Sequence, residues 1–144
     1  MTVKIKKLDP AAQLPSYGTA DAAGADLYAL LSESVVIQPG ETVRIPTGLA
    51  MQIPQGYGGF LYARSGLATK KGLAPANKVG VIDADYRGEV IVALYNQSGE
   101  AQTVENGERI AQLVIAPYLR GEFCESAELD DTVRGAGGFG STGK

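Results

Sequence analysis

The chain has 144 residues, enough for one domain with a buried core, and it carries a formal net charge of −3. The acidic balance argues against a basic face for long nucleic acid, whereas an anionic small molecule remains compatible with a local group of cations or a metal. The absence of histidine excludes Ser-His and Cys-His catalysis, and the lone Cys124 lies among acidic residues that do not favour a thiolate. Chemistry must therefore come from carboxylates, Arg, Lys, Tyr, hydroxyls, backbone amides or a hard metal.

Alternation of apolar and polar residues with a period of two predicts many short strands. In chain order these are Val3–Leu8, Asp26–Leu30, Ser34–Gln38, Thr42–Ile45, Leu49–Ile53, Tyr57–Ala63, Val79–Ile82, Glu89–Tyr95 and Arg109–Pro117. Turn sequences separate them, and Asn106-Gly107 is typical of a two-residue hairpin. One short helix is predicted from Ser65 to about Lys71, ended by Gly72. The spacing favours an all-β sandwich, jelly roll or small barrel.

The segment GVIDADYRG, from Gly80 to Gly88, carries the strongest chemical signal. Strand, polar turn and strand together predict a β-hairpin whose tip brings Asp83, Asp85 and Tyr86 into one small volume. A carboxylate there can activate water, the ring can pack against a ligand, and unpaired backbone groups can pair with a base. An aspartate that only hydrogen-bonds its own turn fits the same pattern.

The segment ARSGL joins a predicted strand to the predicted helix. Its Arg64 side chain, the Ser65 hydroxyl and the amides of Ser65 and Gly66 can together hold a phosphate. The simpler alternative is that Ser65 only caps the helix and Arg64 is solvated. Two further segments, AGADL and GERIAQ, are weak signals when each is taken alone.

The end of the chain, RGAGGFGSTGK, is too rich in glycine to pack a core, so we expect it to be mobile unless a ligand orders it. Arg134, Ser141 and Thr142 offer groups for phosphate oxygens, and Phe139 can stack on a base. A frayed tail without function is the alternative. The expected division is a β domain over residues 1–133 with a lid of the same domain over 134–144.

Five segments resemble, in order and separation, the five motifs of the trimeric deoxyuridine triphosphatase (dUTPase) family: AGADLYA, ARSGLA, GVIDADYRGEV, GERIAQ and RGAGGFGSTG. The resemblance spans Ala23 to Gly143. It implies a jelly-roll homotrimer, a distorted barrel of short strands, with sites shared between subunits. The implied reaction is Mg²⁺-dependent hydrolysis of dUTP to dUMP and pyrophosphate, which supplies dUMP and keeps uracil out of DNA.

The resemblance also implies residue roles. Asp83 matches the carboxylate that deprotonates a water for in-line attack on the α-phosphorus, and Tyr86 matches the ring that packs under the deoxyribose. Uracil is expected to contact the Asn77 side chain and the backbone of Gly80, Val81 and Ile82, with Ile91 bordering the nucleotide. The remaining matches are the phosphate cradle (Arg64, Ser65, Gly66 and Gln112), a metal contact through water (Asp26) and the lid (Arg134, Phe139, Gly140, Ser141 and Thr142).

Two alternatives stay open at this stage. A dCTP deaminase of the same fold needs a glutamate that acts on the cytosine ring, whereas Glu89 lies beyond Gly88 on the returning strand. A nucleotide-responsive regulatory trimer that binds a partner protein is compatible with intact motifs. With no apolar run of signal-peptide or membrane-spanning length, we expect a soluble, cytoplasmic protein that contacts neither a membrane nor long nucleic acid.

Overall fold

The computed structural model describes residues 1–138, and within them nearly all regular structure is β. The strands are β1 (Lys4–Lys7), β2 (Ser16–Tyr17), β3 (Ala25–Tyr28), β4 (Val35–Ile37), β5 (Thr42–Gln52), β6 (Tyr57–Tyr62), β7 (Leu73–Pro75), β8 (Gly80–Ile82), β9 (Glu89–Asn96), β10 (Gln102–Val104) and β11 (Arg109–Pro117). The helix α1 spans Ser65–Lys70, and Gly72 follows it at a φ of 66°, as the sequence predicts. None of the helical structure in residues 1–138 is long and apolar enough to cross a membrane.

Two antiparallel sheets supply most of the core, to which Ile37, Val104 and Leu67 also belong. One has the strand order β1-β5-β9-β7, the other has the order β2-β3-β11-β6-β8, and β10 and β4 form a separate pair. Along β9 the residues alternate between buried and half-buried, so that Val90, Val92 and Leu94 join the core while Ile91 and Ala93 face outward. Leu113 and Ile82 belong to the same buried cluster and lie in the second sheet. The period-two pattern therefore predicts the two faces of β9 correctly.

Two predicted strands are one strand in the structure. The segments Thr42–Ile45 and Leu49–Ile53 both belong to β5, which pairs with β9 across an irregularity between Pro46 and Ala50. The buried Thr47 stabilises this irregularity, because its hydroxyl donates to the carbonyl of Val90 at 2.6 Å and accepts from the amide of Leu49 at 3.3 Å. A bulge breaks the alternation of side chains, and the break looks like a strand end in the sequence.

The hairpin expected at Asn106-Gly107 does not form. This turn connects β10 to β11, but β10 pairs with β4, and β11 pairs with β3 and β6. The turn is anchored to the end of β3 instead: the Gly107 amide donates to the carbonyl of Ala29 at 2.8 Å, and the Asn106 side chain accepts from the amide of Leu31 at 2.9 Å. The tight turn is present, with Gly107 at a φ of 76°, but the strands it joins have other partners.

Candidate active site

The segment between β8 and β9 does not close a hairpin. β8 pairs with β6 in one sheet, while β9 lies between β5 and β7 in the other, so the hairpin predicted from GVIDADYRG is wrong. The connection from Asp83 to Gly88 is six residues long, more than the two to five residues usual for a hairpin loop. Ile82 and Val90, at its two ends, are both buried in the core from different sheets.

The separation of the two strands leaves backbone edges open. β8 is an edge strand of its sheet, and β7 pairs with β9 only from Leu94 to Asn96. Within residues 1–138, the β7-facing edge of β9 therefore has no strand beside it from Glu89 to Val92. Backbone N–H and C=O groups on such an edge are available to a ligand that has its own donors and acceptors.

A cleft of about 290 Å³ lies beside these edges. It is lined by seven of the residues predicted from the sequence: Asn77, Gly80, Val81, Ile82, Asp83, Tyr86 and Ile91. A hairpin would have filled this space with strand pairing, whereas the divergent strands open it to a flat molecule with a hydrogen-bonding edge.

The loop from Asn77 to Gly80 is held in a tight conformation. Lys78 has a φ of 66°, rare for a residue other than glycine, and the Val79 amide donates across it to the Asn77 carbonyl at 2.7 Å. At Gly80 an added Cβ would lie 3.1 Å from the Cβ of Leu61 and 3.3 Å from Nδ2 of Asn77. Glycine therefore lets the backbone lie directly against the Asn77 side chain.

Asp83 begins the connecting turn. Its carbonyl accepts from the Tyr86 amide at 3.1 Å, and Arg87 holds the rest of the turn by donating to the carbonyls of Ala84 at 2.7 Å and Tyr86 at 2.9 Å. The exposed Asp83 carboxylate makes no hydrogen bond to any other group in residues 1–138, so it does not cap its own turn. It is free to accept a proton from a water molecule in the cleft.

The Tyr86 ring forms one wall of the cleft. Its hydroxyl donates to the Glu89 carbonyl at 3.0 Å, and the side chain remains 46% exposed. The ring lies over Gly88, where an added Cβ would meet the hydroxyl and would lie 2.6 Å from Cζ. Gly88 is thus the residue that allows the ring to occupy this position.

Two charged residues in this cleft are absent from the sequence-based prediction. Arg44 reaches it from β5, where it lies opposite Ala93, and Glu89 begins β9. The Glu89 carboxylate accepts from the amide of Gly48 at 2.7 Å and so links the cleft to the irregularity in β5. Alternation in β5 places Arg44 on the outer face, but only the pairing of β5 with β9 brings it to the cleft.

A second group of predicted residues surrounds Asp26. One carboxylate oxygen accepts from Nε of Arg64 at 2.6 Å, and the other accepts from Nη1 of Arg109 at 3.3 Å. A separate cleft of about 280 Å³ lies alongside and is lined by Arg64, Gly66, Leu67, Lys70, Lys71, Glu108 and Arg109. Lys71 is paired with Glu108 at 2.6 Å. Positive charge is in local excess, because four cationic side chains face only two carboxylates, those of Asp26 and Glu108. This excess suits an anionic ligand.

Ser65 does not cap the helix, contrary to one expectation from the sequence. The N-cap is Arg64, with a φ of −90° and a ψ of 130°, and no side chain among the described residues caps the helix. Ser65 is therefore the first helical residue. Its amide and that of Gly66 belong to the first turn, whose N–H groups have no acceptor within the helix.

Gln112 supports the strand end that carries Arg64. Its side-chain amide donates to the carbonyl of Ala63 at 2.8 Å, and its side chain fills the space above Gly24, where an added Cβ would lie 3.1 Å from the Gln112 Cβ. This contact places Gln112 next to the cationic cluster and ties β11 to the end of β6.

The two clusters are far apart within one chain. Gly59 of β6 is paired with Ile82, so Asp83 lies near Gly58, and Arg64 is six residues further along the chain from that point. At about 3.3 Å per residue, the distance between Asp83 and Arg64 is roughly 20 Å.

Of the predicted lid, Arg134 donates to the carbonyl of Gly137 at 2.8 Å, whereas Phe139, Gly140, Ser141 and Thr142 lie outside the described residues.

A cleft with open backbone edges and a cationic cluster are features of proteins that bind a nucleotide with its phosphate chain. The dUTPase family model matches residues 10–143. A deoxyuridine 5'-triphosphate nucleotidohydrolase of Desulfitobacterium hafniense is 54% identical over 147 residues, covering 99% of this chain and 97% of that protein.

Solved structures agree with this match. A variant of the dUTPase of Staphylococcus bacteriophage 80alpha, in complex with dUpNHpp, is 32% identical with a TM-score of 0.86 and covers 99% of both chains. A dUTPase variant of the S. aureus phage phi11, described with a structural Mg(II) ion, is 28% identical with a TM-score of 0.78 and covers 89% of this chain and 98% of its own. The dUTPase neighbours have the jelly-roll fold, which confirms that expectation.

The chain belongs to the dUTPase family. It is a hydrolase of nucleotide metabolism that converts dUTP to dUMP and pyrophosphate.

Proposed function

We propose that dUTP binds with its base and sugar in the cleft between β8 and β9, and that Asp83 is the general base. The carboxylate accepts a proton from water as the water oxygen bonds to the α-phosphorus, and the bond from that phosphorus to the bridging oxygen of the leaving pyrophosphate breaks. The observation that carries this proposal is the Asp83 carboxylate, which has no hydrogen-bond partner in residues 1–138 and shares its cleft with Tyr86.

The remaining cleft residues select the nucleotide. The backbone of Gly80, Val81 and Ile82 and the side chain of Asn77 pair with the uracil edge, and Ile91 borders the nucleotide from β9. The Tyr86 ring packs under the deoxyribose and leaves no room for a 2′-hydroxyl. Support comes from the open edges of the two strands and from the hydrogen bond that fixes the ring to Glu89.

We propose a homotrimer in which each site combines groups from different subunits. A phosphate chain that is attacked by water on Asp83 must lie within a few ångströms of that carboxylate, whereas Arg64, Ser65 and Gly66 of the same chain lie roughly 20 Å away. The segment after β11 also favours contact with another copy, because its side chains of Leu119 and Phe123 are each 99% exposed. The phosphate cradle, including Gln112, then comes from a neighbouring subunit.

The lid of the composite site is the tail over residues 134–144. Arg134 binds the terminal phosphate, Phe139 covers the base, and Gly140, Ser141 and Thr142 contribute amides and hydroxyls, while residues 1–133 form the β domain. Closure of such a segment excludes water and completes the charge clamp. We place this reaction in the cytoplasm.

The donor set fits Mg²⁺ held chiefly by phosphate oxygens and water. Residues 1–138 contain no group of three or more carboxylates or cysteines that could hold a metal, and both oxygens of Asp26 already accept from arginines. We propose that Asp26 contributes through water, because the two arginines already neutralise its charge, and this matches a hard ion that keeps several waters. Mg²⁺, when bound, neutralises charge on the phosphates.

Pyrophosphate release from dUTP, dTTP, dCTP and UTP tests the assignment of Asp83. We expect dUTP to be preferred, and Asp83→Asn to lower turnover at least about a hundredfold while dUMP binding persists. Asp85→Asn removes a carboxylate two residues along the same turn and serves as the matched control. Near-normal turnover in Asp83→Asn would overturn the role of this residue, and ammonia release from dCTP would indicate a deaminase.

Mixed trimers test the sharing of sites. Asp83→Asn and a chain truncated before Arg134 should each be almost inactive as homotrimers. After joint unfolding and refolding, some sites combine an intact Asp83 from the truncated chain with an intact tail from the other, and activity should return in proportion to their abundance. No recovery in trimers whose mixed composition is verified by mass would show that both parts must come from one chain.

A further inference from the structure

We propose that Glu89 is a positioning residue for the Tyr86 ring, and that it sets the discrimination between deoxyribose and ribose through that ring. This inference rests on the proposed function, because that function places the deoxyribose on Tyr86. The sequence-based prediction gives Glu89 no role in dUTP hydrolysis, whereas in the structure it lines the same cleft as Tyr86.

Glu89 is hydrogen-bonded through both its backbone and its side chain. Its carbonyl accepts from the Tyr86 hydroxyl at 3.0 Å, and its carboxylate accepts from the amide of Gly48 at 2.7 Å. The bond to this carbonyl is the only hydrogen bond of the Tyr86 side chain within residues 1–138. Because the ring is 46% exposed, packing restrains it only in part, and its position depends on where the Glu89 carbonyl lies.

Gly48 is a rigid partner for the carboxylate. It is buried, it has a φ of 68°, and its carbonyl accepts from the amide of Leu8 at 2.8 Å. An added Cβ at Gly48 would meet the side chain of Leu30 and would lie 2.9 Å from the Cβ of Ala12. Since the surrounding side chains leave this backbone little room to shift, the amide that binds Glu89 is held in place.

Strand pairing holds Glu89 less firmly than it holds the rest of β9. The pairing of β5 with β9 is interrupted between Pro46 and Ala50, and Glu89 pairs with Ala50 beyond the interruption. On its other edge, within residues 1–138, Glu89 has no strand beside it. The Glu89 carboxylate spans the interruption, because its partner Gly48 lies inside it. The side chain therefore supplies a restraint that the sheet does not.

Glu89 differs from a carboxylate that only satisfies a backbone amide. Glu41 is an example of that simpler case, because its carboxylate accepts from the Gln38 amide at 2.8 Å in an exposed turn that lines neither cleft. In Glu89 the residue that carries the carboxylate also carries the acceptor for the Tyr86 hydroxyl. Any shift of Glu89 therefore moves the group that holds the ring.

Specificity constants for dUTP and UTP, measured by pyrophosphate release on the full chain with Mg²⁺, test the proposal. We expect Glu89→Ala to lower the preference for dUTP about fivefold or more, through a relative gain for UTP. The turnover number for dUTP should change less than about twofold, since Arg87 separately holds the turn that carries Asp83. Glu89→Gln keeps an oxygen that can accept from Gly48 and should retain the native preference. If Glu89→Ala does not fold, Glu89→Asp, whose side chain is one methylene shorter, carries the same test.

The Tyr86 hydroxyl tests the route by which Glu89 acts. Tyr86→Phe keeps the ring and removes its bond to the Glu89 carbonyl, so it should lower the preference for dUTP as Glu89→Ala does. In a chain with both substitutions the loss should be no larger than in Tyr86→Phe alone, because the two changes act on one interaction. An unchanged preference in Tyr86→Phe, or losses that multiply in the double variant, would refute this route.

Glu41→Ala is the matched control and should leave the preference for dUTP unchanged, while Tyr86→Ala separates the two levels of the argument. If Tyr86→Ala lowers the preference and Glu89→Ala does not, the role of Glu89 is refuted while the proposed sugar contact stands. If Tyr86→Ala leaves the preference unchanged, the sugar contact itself is refuted. A lower melting temperature in Glu89→Ala with the native preference would show that the carboxylate only satisfies the Gly48 amide.

Discussion

Gly88→Ala should impair discrimination between dUTP and UTP without changing the chemical identity of any side chain that contacts substrate in the proposed complex. The new methyl group would lie 2.6 Å from Cζ and 3.1 Å from Cε2 of Tyr86, closer than side-chain atoms pack. Gly88 is not among the glycines with a positive φ, so alanine adds a steric conflict rather than backbone strain. The ring must therefore move away from its position in the cleft.

The cost to folding should be small. Moving the ring breaks the hydrogen bond from its hydroxyl to the Glu89 carbonyl, worth about 1 kcal/mol. Because the side chain is already 46% exposed, it can turn toward solvent with little loss of apolar burial. We expect the free energy of unfolding to fall by about 1–2 kcal/mol, while the preference for dUTP over UTP falls by about tenfold.

The assay compares the specificity constants for dUTP and UTP in pyrophosphate release, alongside urea unfolding. Gly99→Ala is the matched control, because no atom of residues 1–138 that is not adjacent in sequence lies within 4 Å of a Cβ built at that glycine, and its φ is not positive. Tyr86→Ala should reproduce the loss of discrimination. If Gly88→Ala retains the dUTP preference of the native chain, the position of the Tyr86 ring does not determine sugar selection.

Three further predictions concern stability and the metal. Leu94→Ala, at a fully buried position, should lower the free energy of unfolding in urea by about 2–5 kcal/mol, and a loss below 1 kcal/mol would contradict its place in the core. Thr47→Val should cost about 1–3 kcal/mol, because it leaves the buried carbonyl of Val90 without its donor. Thr47→Ser, which keeps the hydroxyl, should cost less, and equal losses would refute this reason. EDTA should abolish pyrophosphate release and Mg²⁺ should restore it, whereas full activity in excess EDTA would contradict the proposed Mg²⁺ requirement.

Local patterns predict two of the three longest strands well, whereas the longest, β5, is predicted as two because of its irregularity. The two are β9 and β11, with eight and nine residues. β2, β7 and β10 have only two or three residues, and the sequence-based prediction omits them. The equally short β4 and β8 are predicted because each lies within a run of β-branched residues. The strand character of the omitted strands comes from pairing with distant segments, as β7 pairs with the end of β9.

Pairing between distant segments is also what the sequence could not reveal about the site. The motif residues that line the cleft beside β8 and β9 were predicted, and the structure brings them together. Arg44 joins them only because β5 is adjacent to β9, and Arg109 approaches Asp26 only because β11 lies beside β3. Neither adjacency of strands can be predicted from a short stretch of sequence, because the paired strands are far apart along the chain. The outward-facing pattern of a strand indicates that a side chain is accessible, but not which cleft it lines.

The incorrect hairpin prediction and the predicted site have the same physical origin. Had β8 and β9 paired with each other, their backbone groups would have satisfied one another and no edge would remain for a base. The connection from Asp83 to Gly88 keeps them apart because it spans two sheets, and it holds itself in shape through the Arg87 side chain. The same six residues then present the Asp83 carboxylate and the Tyr86 ring at the mouth of the gap. Separation of the strands and placement of the reactive groups are therefore one structural feature, and shortening this turn to a tight hairpin would remove both.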